Sequence, residues 1–270
     1  MMRLSLVRLS CAIALAATLS GCMASTQQEV ELGQQYAAQI NQQLPIVTDP
    51  EINRYINVLG DSIATLSDDR GLQWHFYVVN DRELNAFAVP GGYIYVNRGI
   101  IEASDNLSQL AGVMGHEIGH VLERHSMEQM RDMERANAGV SILCIFTSVC
   151  ESQAAGAAIN LAGSAVFAKF SREDEAEADA VGIRNVVRAG IDPRGIPAMF
   201  RKLLDARQSD PSAVSAFFST HPLEEDRIAA TEAQIAQIDP AILESLTRDT
   251  PAFQAFKRRV AALPAPPPRK

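Results

Sequence analysis

The chain has 270 residues, of which 47% are hydrophobic, so one domain of catalytic size with an ample core is expected, and no internal repeat divides it. Its formal net charge is −8 and it carries no basic stripe, which argues against a nucleic-acid partner.

Arg3 and Arg8 precede an apolar stretch from Leu9 to Leu19, which runs into Leu19-Ser20-Gly21-Cys22. This has the form of a bacterial lipoprotein signal ending at a cysteine to be acylated. Residues 1–21 are therefore expected to be removed, and Cys22 to become a lipidated N-terminus. The apolar stretch is shorter than the ~20 residues that a spanning helix needs. Met23 is not the aspartate that retains lipoproteins at the inner membrane of the best-studied bacteria, so the periplasmic face of the outer membrane is the expected address. Loss of the signal removes two arginines and no acids, taking the charge from −8 to −10.

The domain expected after processing, residues 22–262, reads as mainly helical α+β. Helices are expected near Gln27 to Gln43 and Asp49 to Leu66, the second with Pro50 in its first turn. Trp74 to Val79, Ala86 to Val89 and Tyr93 to Val96 are rich in β-branched and aromatic residues between turn signals, and read as a small antiparallel sheet. A helix is expected from Leu107 into the region of Glu134, with Gly112, Gly115 and Gly119 marking close approach of another element. Between Ala136 and Ala168 the one charged residue is Glu151, which suggests an apolar helical hairpin over the site rather than a span. Cys144 and Cys150 flank part of it and are candidates for a disulfide in an oxidising compartment. Further helices are expected over Arg172 to Ala189, Pro197 to Arg207 and Glu224 to Gln237, and residues 263–270 read as a proline-rich disordered tail.

His116-Glu117-Ile118-Gly119-His120 carries the chemistry. Residues four apart share a helix face, so His116 and His120 can converge on one zinc ion while Glu117 flanks a water and acts as general base. A third ligand must come from elsewhere. The H-E-x-x-H-x-x-G-x-x-H pattern is excluded, because Glu123 replaces its glycine and Ser126 its last histidine. On a continuous helix His125 points about 140° away from His120, and Glu123 lies about 10 Å along the axis from His116. His125 is therefore read as a packing or surface residue. Downstream, in Ser171 to Gly182, Glu173 and Glu177 read as a solvated face. Glu175 and Asp179 lie on the opposite face beside Ala178 and Gly182, Glu175 as a candidate ligand and Asp179 as a candidate partner for a ligand histidine.

Four segments then appear in order: Pro90-Gly91-Gly92, His116 to His120, Ser171 to Asp179, and His221-Pro222 followed by Arg227. Together they resemble the gluzincin peptidase family of CAAX prenyl endopeptidases, bacterial heat-shock membrane proteases and soluble periplasmic proteases of outer-membrane assembly. The resemblance implies a zincin-type domain with one zinc ion held by His116, His120 and Glu175, and Glu117 as base. It also implies unfolded or misassembled envelope proteins as substrates, and the outer-membrane assembly machinery as a candidate partner. The segment Ala86, Phe87, Ala88, Val89, Pro90, Gly91, Gly92 is expected to present a strand edge to which an extended peptide adds. His221 either stabilises the oxyanion or occupies the open zinc position until substrate displaces it, the option that related periplasmic proteases suggest, with Arg227 anchoring its loop to an acidic partner. Two rival functions remain, a chaperone-like assembly factor with a structural metal and a processing protease with one dedicated substrate.

Overall fold

Capping chemistry sets where the helices begin in the computed structural model, which describes residues 24–136, 169–223 and 225–266. Ser25 and Gln28 form a reciprocal capping box at the start of α1 (Thr26–Gln43), and Asp49 caps α2 (Pro50–Ala64) with Pro50 at its first position. Both lie close to their expected bounds.

The strands β1 (His75–Val79), β2 (Ala86–Val89) and β3 (Tyr93–Asn97) lie in the order β1-β3-β2. β2 and β3 form an antiparallel hairpin across Pro90-Gly91-Gly92, whose glycines take φ 81° and 98°. β1 pairs with β3 in parallel, so the sheet is mixed and not antiparallel as expected. The tight turn is the reason. It commits one edge of β3 to β2, so β1 takes the other edge, and Asn80 to Gly92 provides the crossover that parallel neighbours require.

The remaining described elements are α3 (Arg98–Ala103), α4 (Leu107–Leu122), α5 (His125–Ala136), α6 (Arg172–Arg188), α7 (Gly195–Ser209), a 3-10 turn Pro211–Val214, α8 (Ser215–Thr220), α9 (Glu225–Ile235), α10 (Pro240–Ser245) and α11 (Pro251–Ala261). The fold is α+β and mainly helical. α4 is buried from Leu107 to Val121, and α2, α6, α7 and the sheet pack around it. A helix with so little polar surface is stable only at the centre of a domain. The unforeseen α11 buries Phe253, Phe256 and Val260 beside α2 and α3, and Tyr55 stacks on Phe256 at 4.3 Å between centroids. Arg98, buried at the start of α3, donates to the carbonyls of Ala261, Leu263 and Pro264, and so fastens the end of α11.

The expected continuous helix from Leu107 to Glu134 is broken. α4 ends at Leu122, Arg124 takes φ 64°, and α5 begins at His125. A non-glycine residue in this region costs free energy and persists only where its surroundings hold it. Glu29 of α1 does so. Its buried carboxylate pairs with Arg124 Nε at 2.8 Å and Arg70 Nη1 at 2.9 Å, and accepts from the Gly91 amide at 3.3 Å, while Arg70 Nη2 donates to the Val121 carbonyl.

Close approach of α4 to its neighbours rests on glycine, and two of the three expected glycines face the helix that carries Glu175. A Cβ on Gly119 would stand 2.7 Å from the Ala178 carbonyl oxygen, and one on Gly115 would stand 3.3 Å from that of Gly182. Gly112 faces Ile196 of α7 instead. Residues 1–23, including Cys22, and residues 137–168, with Cys144 and Cys150, lie outside the described residues, as do 267–270 of the proline-rich end. Among the described residues no helix is long and apolar enough to cross a membrane. Gly119→Ala is expected to cost about 1–3 kcal/mol by overpacking, because the atoms it meets are backbone and cannot rotate aside. Thermal unfolding should show it as a midpoint lowered by several degrees.

Candidate metal centre

Successive turns of α4 bring the Nε2 atoms of His116 and His120 to 3.1 Å from each other. Contact with α6 places Glu175 against both: Oε1 lies 3.4 Å from His120 Nε2 and Oε2 lies 3.6 Å from His116 Nε2. α6 starts where Ser171 and Asp174 form a capping box, which sets Glu175 one turn inside the helix. His221, the residue that ends α8, puts Nδ1 2.9 Å from Glu175 Oε1 and 3.3 Å from His116 Nε2. The four side chains are buried, and their potential ligand atoms lie within 4.8 Å of one another.

Glu117 stands beside this cluster, 1% exposed, and neither of its carboxylate oxygens has a hydrogen-bond partner among the described residues. Its nearest charged neighbour is His221 Nε2, 3.7 Å from Oε1. Asp179 Oδ1 lies 2.9 Å from His116 Nδ1. Arg227 of α9 grips Asp179 bidentately, Nε to Oδ2 at 2.6 Å and Nη2 to Oδ1 at 2.8 Å, and also bonds Glu175. The acidic partner that the sequence left unnamed for Arg227 is thus this carboxylate pair. The Arg227 guanidinium lies 4.5 Å over the Phe200 ring, which covers its face.

His125, read as a packing or surface histidine pointing away from His120, packs against that residue instead. It is buried with Nδ1 2.9 Å from His120 Nδ1, and its Nε2 faces Glu177 Oε2 at 3.4 Å. The 140° offset holds only for an unbroken helix, and the break at Arg124 removes it. Phe170, also unforeseen, stacks on His120 at 4.0 Å between centroids. The strand Ala86, Phe87, Ala88, Val89 forms the β2 edge of the sheet, packed on α4. Pro90, next in the chain, lines a cavity of about 10 Å³ together with His120 and Glu29, so the turn abuts the histidine cluster. Gly91 and Gly92 complete that turn.

Burial raises the Glu175 carboxyl, but His221, with hydrogen bonds from His120 and the nearby His116, more than reverses this and holds it well below the usual carboxylate range. Burial keeps His120 well below the ordinary histidine value, hence neutral. His221 moves the other way: burial lowers it, yet Glu175 and Glu117 raise it further. Asp179 is raised by burial and drawn down past its ordinary value by Arg227. These protein groups form a net anionic pocket in which a proton on His221 is one counter-ion and a metal cation another, so the two compete.

The donor set fits zinc. Imidazole nitrogen and carboxylate oxygen are its usual ligands, and a catalytic site takes three protein ligands with one exchangeable position. The two unbonded oxygens of Glu117 point to work done on something that enters the site.

Comparison with known proteins agrees with this geometry. The beta-barrel assembly-enhancing protease of Escherichia coli (strain K12) is 36% identical over 235 residues, covering 84% of this chain and 48% of that protein. Its namesake from Yersinia pestis is 33% identical over 229 residues, 83% of this chain and 47% of that protein. The mitochondrial metalloendopeptidase OMA1 of Schizosaccharomyces pombe is 29% identical over 205 residues, 75% and 59% respectively. The chain spans about half the length of the bacterial relatives it matches. The family model for peptidase family M48 matches residues 49–235, the stretch that supplies the whole cluster. This chain therefore belongs to peptidase family M48, whose metallopeptidases use zinc.

Proposed function

We propose that the chain is a zinc-dependent endopeptidase of the bacterial envelope that degrades misfolded or stalled outer-membrane proteins. The observation that carries this is Glu117, a buried carboxylate without a hydrogen-bond partner among the described residues, beside four potential ligands. Such a group costs free energy to bury, and a purely structural metal site has no use for it. That speaks against the chaperone-like alternative. The names of the bacterial relatives, beta-barrel assembly-enhancing proteases, support the substrate class.

In this reading His116, His120 and Glu175 hold the ion, which when bound supplies Lewis acidity toward the scissile carbonyl and makes water easier to deprotonate. Glu117 takes the proton of the attacking water and returns it to the leaving nitrogen. Asp179, gripped by Arg227, keeps the His116 ring oriented through its Nδ1. A peptide in extended form adds to the β2 edge, from Ala86 to Val89, so unfolded segments are accepted and folded ones refused. His221 acts as the plug: its Nδ1 stands among the ligand atoms in the resting protein and withdraws when peptide enters. Acylated Cys22 anchors the domain at the periplasmic face of the outer membrane. Cys144 and Cys150 close a short disulfide loop in the apolar segment.

Glu117→Gln should lower the rate constant of peptide cleavage by ~10²–10⁴-fold while zinc stays near one per chain, and Glu175→Gln should lose the metal. Digestion of an unfolded model protein, read together with metal content, separates the two. His221→Ala should raise basal cleavage; a fall of ~100-fold would assign His221 to the oxyanion instead. Mass spectrometry of the N-terminal peptide is expected to show a diacylglyceryl group on Cys22, and an unmodified N-terminus elsewhere would remove the anchor from this account.

A further inference from the structure

His120 faces the cluster with Nε2, so when that nitrogen ligates, the ring proton sits on Nδ1. A buried N–H needs an acceptor, and the atom opposite is Nδ1 of His125, 2.9 Å away. The partner differs in kind from that of the neighbouring ligand, where Asp179 Oδ1 lies 2.9 Å from His116 Nδ1. At His116 the acceptor is a carboxylate. At His120 it is an imidazole.

The tautomers follow. If His120 donates from Nδ1, then Nδ1 of His125 must be the bare, accepting nitrogen, and the His125 proton resides on Nε2. That nitrogen faces Oε2 of Glu177 at 3.4 Å, on a side chain 65% exposed. A chain of two buried rings thus runs from the cluster to one surface carboxylate.

We propose that His125 is a positioning residue of the metal centre, a neutral acceptor that fixes the tautomer and ring rotation of His120, with Glu177 fixing His125 in turn. This rests on the assignment of His120 as a ligand. Charge explains why an imidazole suits the place. Glu117, Glu175 and Asp179 are already buried around the site, with Arg227 as the guanidinium set against them. Another carboxylate behind His120 would add a further buried negative charge, whereas a neutral ring satisfies the N–H without one. Phe170 stacks on the His120 ring at 4.0 Å, so ring plane and ring rotation are fixed by different neighbours. The break at Arg124, held by Glu29, is what turns His125 toward His120.

The test uses the full, zinc-loaded chain labelled with ¹⁵N-histidine, whose five histidines make assignment tractable. Long-range nitrogen–proton spectra should show His120 protonated at Nδ1 and His125 at Nε2; a His125 protonated at Nδ1 overturns the proposal. Chelator competition then gives zinc affinity in variants. His125→Leu should weaken zinc ~10–100-fold. His125→Gln keeps an acceptor and a donor and should stay near the wild-type affinity. Wild-type affinity in His125→Leu, or equal loss in both variants, also overturns the proposal. Glu175→Gln is the separate control: if it retains zinc, the ligand assignment itself fails, whichever way the His125 variants fall.

Discussion

The backbones of α4 and α6 touch, and the metal cluster depends on that contact. A methyl group on Gly119 would stand 2.7 Å from the Ala178 carbonyl oxygen and one on Gly182 3.1 Å from the His116 amide nitrogen, so neither helix can be shifted outward without opening the pair. At this separation Glu175 on one helix reaches both histidines of the other. Ordinary side chains at the contact would hold the axes roughly 8–10 Å apart. The small residues give up side-chain packing at the seam, and in exchange the fold sets imidazole and carboxylate against each other with little freedom to drift.

Burial then makes charge the next constraint. Glu117, Glu175 and Asp179 are each nearly inaccessible, and removal of one partner from a buried ion pair typically costs about 3–5 kcal/mol. Arg227 answers Asp179 and Glu175 at once, and its flat guanidinium rests on Phe200, away from water. Glu117 has no such answer among the hydrogen-bond donors of the described residues. The pocket is therefore built to favour a cation, and His221, whose imidazole is drawn to the protonated form by the same carboxylates, occupies part of that role within the protein itself. A bound cation displaces that proton, which leaves His221 a neutral imidazole able to fill the exchangeable position until peptide enters.

Much of this was legible in the residues because it is local. Two histidines four apart on a helix face the same way whatever surrounds them, and Ser171 with Asp174 marks the start of α6 as a capping box. What escaped was non-local. The parallel pairing of β1 with β3 depends on which edge the Pro90-Gly91-Gly92 turn leaves free. The place of His125 depends on a backbone reversal at Arg124, which is stabilised by Glu29, 95 positions earlier in the chain. The acidic partners of Arg227 lie on another helix. The helix α11 carried a readable signal in Thr250 and Pro251, a capping residue followed by proline at the first position.

The central claim is that three imidazoles and one carboxylate meet at a single zinc ion in the resting protein, with His221 as the member that leaves. X-ray absorption at the zinc edge of the purified, zinc-loaded chain reads this directly, since each imidazole nitrogen contributes a shell at about 2.0–2.1 Å with its own multiple-scattering pattern. The account predicts three imidazoles at rest and two after a peptide-mimicking hydroxamate is added. Two imidazoles in both states would contradict it.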